Sequence, residues 1–110
     1  MGRSTRQARL RARLCALGEQ VGVEIPAGWS GCDPVWPLVE RTRAEGAVFL
    51  LKLDGERTEP DDNGPYTVMV SGGLLKEDDW IRGDFHSLEA GLASVLLGYA
   101  ERCWGFPEEG

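Results

Sequence analysis

The segment SLEAGLASVLLGYAERC, residues 87–103, carries the strongest periodic pattern in the chain. Its larger apolar side chains share about 100° of a helical wheel, the width of a buried helix face: Leu88, Leu92, Val95, Leu96, Tyr99 and Cys103. Ser87 stands at the N-cap position. The opposite side carries the small residues Gly91, Ser94 and Gly98, which would let a sheet, a helix or a partner approach closely. The segment therefore predicts a helix over 87–103 that packs its apolar face on a small sheet.

The strands of that sheet are predicted from segments upstream of this helix. Residues 47–53, AVFLLKL, form a short apolar run between turn residues, which predicts a strand buried on both faces for most of its length. Residues 66–71, YTVMVS, alternate like a half-buried strand after the polar loop 54–65. We expect these two strands to pair antiparallel. A short third strand is predicted near 79–83.

Two more helices are predicted before the first strand. One lies near 4–21, because four apolar residues fall on one stripe of the helix: Leu10, Leu14, Leu17 and Val21. The other lies near 34–45, between the capping pair Asp33-Pro34 and the stop at Gly46, and is predicted to bury Trp36, Leu38 and Val39. The sequence thus predicts an α+β fold, a single domain over 1–110, with an antiparallel-containing sheet packed against three helices.

The charge distribution favours a basic protein as the partner. The chain has 18 Asp and Glu against 12 Lys and Arg, for a net charge of −6. A body of this charge repels the phosphates of nucleic acids and membranes. Five cations nevertheless lie in an acid-free stretch, which leaves nucleic-acid contact through this arm as an alternative: Arg3, Arg6, Arg9, Arg11 and Arg13. Their mutual repulsion predicts that the helix over 3–21 is held less tightly than the rest.

No motif in the sequence indicates catalysis, a cofactor or a metal site. The segment around Ser30 would need glycine rather than Cys32 to form a nucleophile elbow. The acidic loop 59–64 would need an acid rather than Val70 to complete a calcium loop. His86 is the single histidine, and neither it nor Cys32 has a catalytic partner nearby in sequence. We therefore predict a protein that is not an enzyme and needs no cofactor.

The three cysteines indicate neither a disulfide framework nor a metal site. Cys15, Cys32 and Cys103 are odd in number and lack metal-ligand spacing. Reduced thiols in a cytoplasm are the simplest interpretation.

Acidic side chains clustered in two loops are the predicted partner-binding surface, with a solvated, functionless face as the alternative: Glu56, Glu59, Asp61, Asp62, Glu77, Asp78 and Asp79. Trp29 and Trp80, both near loops, are predicted to be exposed and to join this surface.

Over residues 29–103 the chain resembles small phage proteins of the ABA-sandwich type. The resemblance lies in the element order from Asp33 onward, in Trp36-Pro37-Leu38-Val39-Glu40 before the first strand, and in Asp84-x-x-x-Leu88-Glu89-Ala90-Gly91-Leu92-Ala93 at the start of the last helix. It implies a phage or prophage accessory protein located in the host cytoplasm, without family catalytic residues.

The function expected on these grounds is noncatalytic binding. An anti-defence inhibitor of a host nuclease or of another basic protein is the leading hypothesis. A toxin-neutralising immunity protein and a nucleic-acid-associated protein that uses the Arg-rich helix are the alternatives.

Overall fold

The computed structural model describes the backbone of residues 2–108 and the side chains of residues 6–108. The predicted α+β architecture is confirmed. The elements in chain order are α1 (Gly2–Val21), a short 3-10 turn (Asp33–Val35), α2 (Trp36–Ala44), β1 (Ala47–Leu53), β2 (Tyr66–Gly72), β3 (Trp80–Phe85) and α3 (Leu88–Cys103).

Among the described residues, the strands form one antiparallel sheet in the order β1-β2-β3. The register places Leu50 opposite Met69, and Met69 opposite Arg82. Because consecutive strands pair, each is joined to the next by a hairpin loop. The two loops, 54–65 and 73–79, therefore lie at opposite ends of the sheet.

Helix α3 packs against β2 and β3 on one side and against α1 on the other, and α2 packs against β1. A Cβ at Gly91 would come within 2.8 Å of Val68 Cγ2, and a Cβ at Gly98 within 3.4 Å of Ile81. The small residues of α3 therefore face the sheet. The expectation that the whole apolar stripe packs on the sheet is wrong, because Leu92 and Leu96 belong to the core cluster shared with α1 and α2.

Only Val95 and Tyr99 of that stripe are buried in the cluster beside the sheet. At the start of α3, the Ser87 hydroxyl accepts a hydrogen bond from the amide of Ala90 at 3.1 Å. This is the N-cap predicted from the sequence.

The second half of α1 is part of the core. Leu14 and Leu17 are fully buried, and the Arg13 guanidinium forms an ion pair with Glu101 of α3 at 3.0 Å. Residues 6–9 are exposed. A loosely held arm therefore remains a prediction for the turns that precede Leu10, and it does not apply to the second half of α1.

Two burial predictions are wrong. β1 is not buried on both faces, since Val48 is 59% exposed and Leu50 43% exposed. The reason is that helices cover one face of the sheet, so alternate β1 side chains point away from the core. Trp36 is 51% exposed because α2 turns Leu38 and Val39 inward instead.

Candidate functional site

The sheet has a face on the side away from α3 that carries large apolar side chains in solvent. Trp80 of β3 is 54% exposed there, on the same face as the exposed Val48 and Leu50 of β1, and β2 with the half-buried Met69 lies between them. The register places Val48, Ser71 and Trp80 in one cross-strand row, and Leu50, Met69 and Arg82 in the next. We call these residues the open face: Val48, Leu50, Met69, Ser71 and Trp80.

The acidic hairpin loop 73–79 borders the open face. Met69, Ser71 and Trp80 line a shallow depression together with residues 76–79 of this loop. Asp78 has a positive φ of 67°, a conformation that Asp and Asn tolerate better than most residues. The structure thus brings Trp80 together with Glu77 and Asp78, as the sequence predicted for one of the two loops.

The other end of the same sheet face is charged and internally paired. Asp84 accepts a hydrogen bond from the Thr67 hydroxyl at 2.5 Å and lies 3.2 Å from Arg57 and 3.6 Å from Arg82. The Thr67 hydrogen bond, helped by the two guanidinium groups, lowers the pKa of Asp84. Lys52 lies 3.8 Å from Asp54. Three cations thus share two carboxylates, so most of the charge at this end is neutralised within the chain and one positive charge remains.

The two acidic loops do not form one patch. They are separated by the length of a seven-residue strand, about 20 Å at the usual rise per residue. A single partner contact therefore involves one loop together with the sheet, or spans the whole sheet.

Two of the predicted acids stabilise their own loops. Asp62 accepts hydrogen bonds from the amides of Glu59 at 3.0 Å and Gly64 at 2.8 Å. Asp79 accepts one from the Trp80 amide at 3.0 Å and lies 3.5 Å from Arg102. The remaining predicted acids are exposed: Glu56, Glu59, Asp61, Glu77 and Asp78.

The prediction that Trp29 is exposed is wrong. Its side chain is 2% exposed in the helical core cluster. The indole Nε1 donates a hydrogen bond to the Arg11 carbonyl at 3.4 Å, and the Arg11 guanidinium lies 5.6 Å from the ring centroid. Trp29 therefore attaches the loop before α2 to α1. It is not part of the predicted partner-binding surface.

The predicted nucleic-acid arm is partly occupied by contacts within the chain. Arg11 lies 3.6 Å from Glu89, whose pKa is lowered mainly by a hydrogen bond from the Gly31 amide. Arg13 pairs with Glu101 and stacks 5.3 Å from the Phe106 ring. Arg6 and Arg9 are exposed, and the Arg3 side chain lies outside the described residues. Fewer cations face solvent than the sequence suggested.

The residues considered for chemistry are not brought together. His86 is exposed, with Nε2 3.0 Å from the Asp62 carbonyl, and Cys32 packs at the margin of the helical core.

Within the described part of the chain, no group of three or more His, Cys, Asp or Glu side chains is arranged to hold a metal ion. Among the same residues, no helix is both long and apolar enough to cross a membrane.

Sequence reasoning missed a second polar cluster, centred on Glu45. Its carboxylate accepts hydrogen bonds from the Tyr99 hydroxyl at 2.8 Å and from Trp104 Nε1 at 2.9 Å. Burial raises the pKa of Tyr99 to about 12, and the Glu45 charge adds to the effect. Glu45 follows α2, whereas Tyr99 and Trp104 both belong to the end of α3, and no sequence spacing signals that Glu45 meets them.

Comparisons with protein families, with curated proteins and with solved structures gave no match. The most distinctive surface feature of the described residues is the open face that carries Trp80.

Proposed function

We propose that this chain is a noncatalytic protein-binding protein that docks a partner on the open face of its sheet. The observation that carries the proposal is the exposure of Trp80, Val48 and Leu50 on one sheet face, which no helix of the described residues covers. Tryptophan is enriched among the residues that dominate binding energy at protein interfaces. Contiguous apolar side chains on a sheet surface are typical of interaction sites.

The expected energetics favour Trp80 as the centre of the contact. Aromatic side chains bury on the order of 150–250 Å², and removing apolar area from water contributes about 25 cal/mol per Å² before the costs of association. Val48 shares a cross-strand row with Trp80 through Ser71 of β2, and Leu50 and Met69 lie in the adjacent row, which ends with Arg82. The apolar side chains of this face thus lie in two neighbouring rows, with polar side chains among them.

The rim favours a partner with a basic surface. Glu77 and Asp78 are exposed in the loop that borders Trp80, and the chain as a whole carries a net charge of −6. Toward the other end, Lys52, Arg57 and Arg82 share the two carboxylates of Asp54 and Asp84, which leaves one positive charge there. A basic partner would therefore place its positive charge against the hairpin rather than against that end.

The resemblance to small phage proteins supports a narrower role within this class. On that ground we propose an accessory protein of a phage or prophage that inhibits a basic host protein, such as a defence nuclease. Such inhibition requires coverage of a basic surface and no chemistry of its own. Identification of a secreted or paired toxin as the partner would instead assign the role of an immunity protein.

Two tryptophans of similar exposure allow a matched test. Trp80 on the open face is 54% exposed and Trp36 on α2 is 51% exposed. Tagged wild-type protein, Trp80→Ala and Trp36→Ala would be used to capture proteins from bacterial lysate, and each captured protein would be purified and titrated against all three. We expect Trp80→Ala to weaken binding by roughly 2 kcal/mol or more, about thirtyfold, while Trp36→Ala binds like wild type.

The unfolding free energies of the two variants would be compared by denaturant titration to show that both are folded. Equal binding by Trp80→Ala and wild type would exclude the open face as the docking surface. Loss of binding in Trp36→Ala alone would place the contact on α2 instead.

A further inference from the structure

The first strand of the sheet, β1, has an unpaired edge. It is hydrogen-bonded to β2 on one side and is terminal in the strand order. Among the residues that the structure describes, none of the backbone hydrogen bonds outside the helices and the sheet ladder involves residues 47–53. Along the other edge of β1, alternate N–H and C=O groups therefore point away from β2 without a backbone partner.

β1 has few of the features that usually protect a strand edge. Its sequence, AVFLLKL, contains no proline, and Lys52 is its one charge. Its pairing with β2 runs without a bulge from Ala47 opposite Gly72 to Leu53 opposite Tyr66. Natural proteins normally shield such edges with charges, prolines, bulges or covering elements.

The opposite edge, β3, is better protected. Its residues include Arg82 and Asp84, which are tied into the charged network with Arg57. The early turns of α1 also lie near its end, since Arg6 and Leu10 line the same depression as Phe85. β1 is therefore the edge that is open to an added strand.

Acidic loops lie at both ends of β1. Loop 54–65 follows Leu53 and contains five carboxylates against one arginine. Loop 73–79 begins beside Ala47, since a Cβ at Gly73 would lie 2.9 Å from the Ala47 Cβ. Its three carboxylates, at residues 77–79, stand against one lysine at the end of the loop that precedes β3. The cations just before β1, Arg41 and Arg43, are paired with Glu45 and Glu40.

We propose that the partner adds an extended segment to the β1 edge as a fourth strand. The segment has apolar side chains at alternate positions, which pack beside Val48 and Leu50, and Lys or Arg residues on both flanks, which face the acidic loops. Main-chain hydrogen bonds hold such a segment and alternate side chains select it. A second copy of this chain fits less well, because it would bring further acidic loops toward those that border β1.

This inference rests on the proposed function and specifies how the partner binds. The probe is the peptide Lys-Lys-Val-Thr-Val-Thr-Val-Lys-Lys, with a fluorophore at one end. Two further peptides carry backbone N-methyl groups, one at the three valines and the other at the two threonines. Because an added strand turns alternate amides toward β1, methylation of one set blocks pairing and methylation of the other does not.

We expect the unmodified peptide to bind, and one of the two methylated peptides to bind at least about tenfold more weakly than the other. Hydrogen exchange with the bound peptide should slow at β1 amides and leave β3 amides unchanged. Added salt should weaken binding, since the flanking contacts are ionic. No binding of the unmodified peptide, or equal binding of the two methylated peptides, would overturn the inference.

Trp80→Ala separates this inference from the proposed function. If the methylated peptides bind equally and Trp80→Ala still abolishes partner binding, the open face stands and the added strand fails. If one methylated peptide loses binding while Trp80→Ala leaves partner binding intact, the β1 edge stands and the open face fails. Sedimentation of the chain alone completes the test, because concentration-dependent dimerisation that protects β1 amides would assign the edge to a second copy.

Discussion

The Tyr99 hydroxyl of α3 donates a hydrogen bond to Glu45, the residue that follows α2, at 2.8 Å. The same hydroxyl accepts a hydrogen bond from the Leu74 amide at 3.2 Å, and Trp104 Nε1 also donates to Glu45. The Tyr99 and Trp104 rings pack edge to face with centroids 5.3 Å apart. Through this contact the start of β1, the 73–79 loop and the end of α3 are held together.

We predict that Glu45→Ala lowers the free energy of unfolding by about 1–3 kcal/mol, because it leaves two partly buried donors without their acceptor. Glu40→Ala is the matched control, since it removes an exposed ion pair with Arg43 and should cost less than about 1 kcal/mol. Urea unfolding of both variants measures the difference. Equal effects would show that the Glu45 contacts contribute no more than a surface ion pair.

The raised pKa of Tyr99 predicts a loss of stability in alkaline solution. The group titrates near 12 in the folded chain against an ordinary value of 10.0. The contribution of the protonated Tyr99 hydroxyl to the free energy of unfolding is therefore complete below pH 10 and is lost as the pH rises to about 12. The reason is that the unfolded chain loses the hydroxyl proton at a lower pH than the folded chain does. Over this range the loss from Tyr99 amounts to about 2 kcal/mol.

In Tyr99→Phe the free energy of unfolding should fall less between pH 10 and pH 12 than it does in the wild type. Tyr66→Phe should show the same fall as the wild type. Unfolding midpoints measured in urea across this pH range provide the comparison. Parallel pH profiles for wild type and Tyr99→Phe would contradict the assignment.

The sequence was sufficient to predict the type and order of the elements. Helical periodicity and the Ser87 cap located α3, and the turn residues around the apolar run 47–53 located β1. Such signals depend only on residues close together in the sequence, so they can be recognised before the tertiary structure is known.

The sequence was insufficient to predict which faces are covered. An apolar run such as β1 is compatible with burial on two faces or on one, and only the number of packed layers decides between them. The exposure of Val48 and Leu50 follows from the absence of a helical layer on one side of the sheet. For the same reason Trp29 was expected to be exposed and is buried, whereas Trp36 was expected to be buried and is exposed. Tertiary packing, which the local sequence does not specify, decides which of the two indole rings enters the core.

Leu92 of α3 provides a test of the helical core. It is buried among residues of α1 and α2, and Leu92→Ala should lower the unfolding free energy by about 2–5 kcal/mol. Leu53→Ala is the control, since Leu53 is 66% exposed and its truncation should cost about 0.5 kcal/mol or less. Chemical denaturation distinguishes them, and a small effect at Leu92 would contradict this packing.

Deletion of residues 1–9 should leave the fold intact, with a change in unfolding free energy of about 1 kcal/mol or less. The described side chains in this stretch are exposed, whereas Leu14 and Leu17 are fully buried. Leu14→Ala should therefore destabilise the protein more than the deletion does. A large fall in the melting temperature after the deletion would show that the early turns of α1 belong to the core.

The last prediction concerns the acidic rim of the open face. Glu77→Gln combined with Asp78→Asn removes two charges beside Trp80, and asparagine tolerates the positive φ at residue 78. We expect slower association with a basic partner, because rim charges mainly steer the encounter. The dissociation rate should change less than the association rate.

The control carries the same change of charge away from the sheet: Glu19→Gln with Glu24→Gln, two exposed positions at and after the end of α1. Stopped-flow association at increasing salt separates the two pairs. Near physiological ionic strength the Debye length falls to about 8 Å, so a distant pair should lose its influence before the pair beside Trp80 does. Identical rates and identical salt dependence for the two pairs would show that net charge alone steers binding, and the rim at residues 77–78 would then have no specific role.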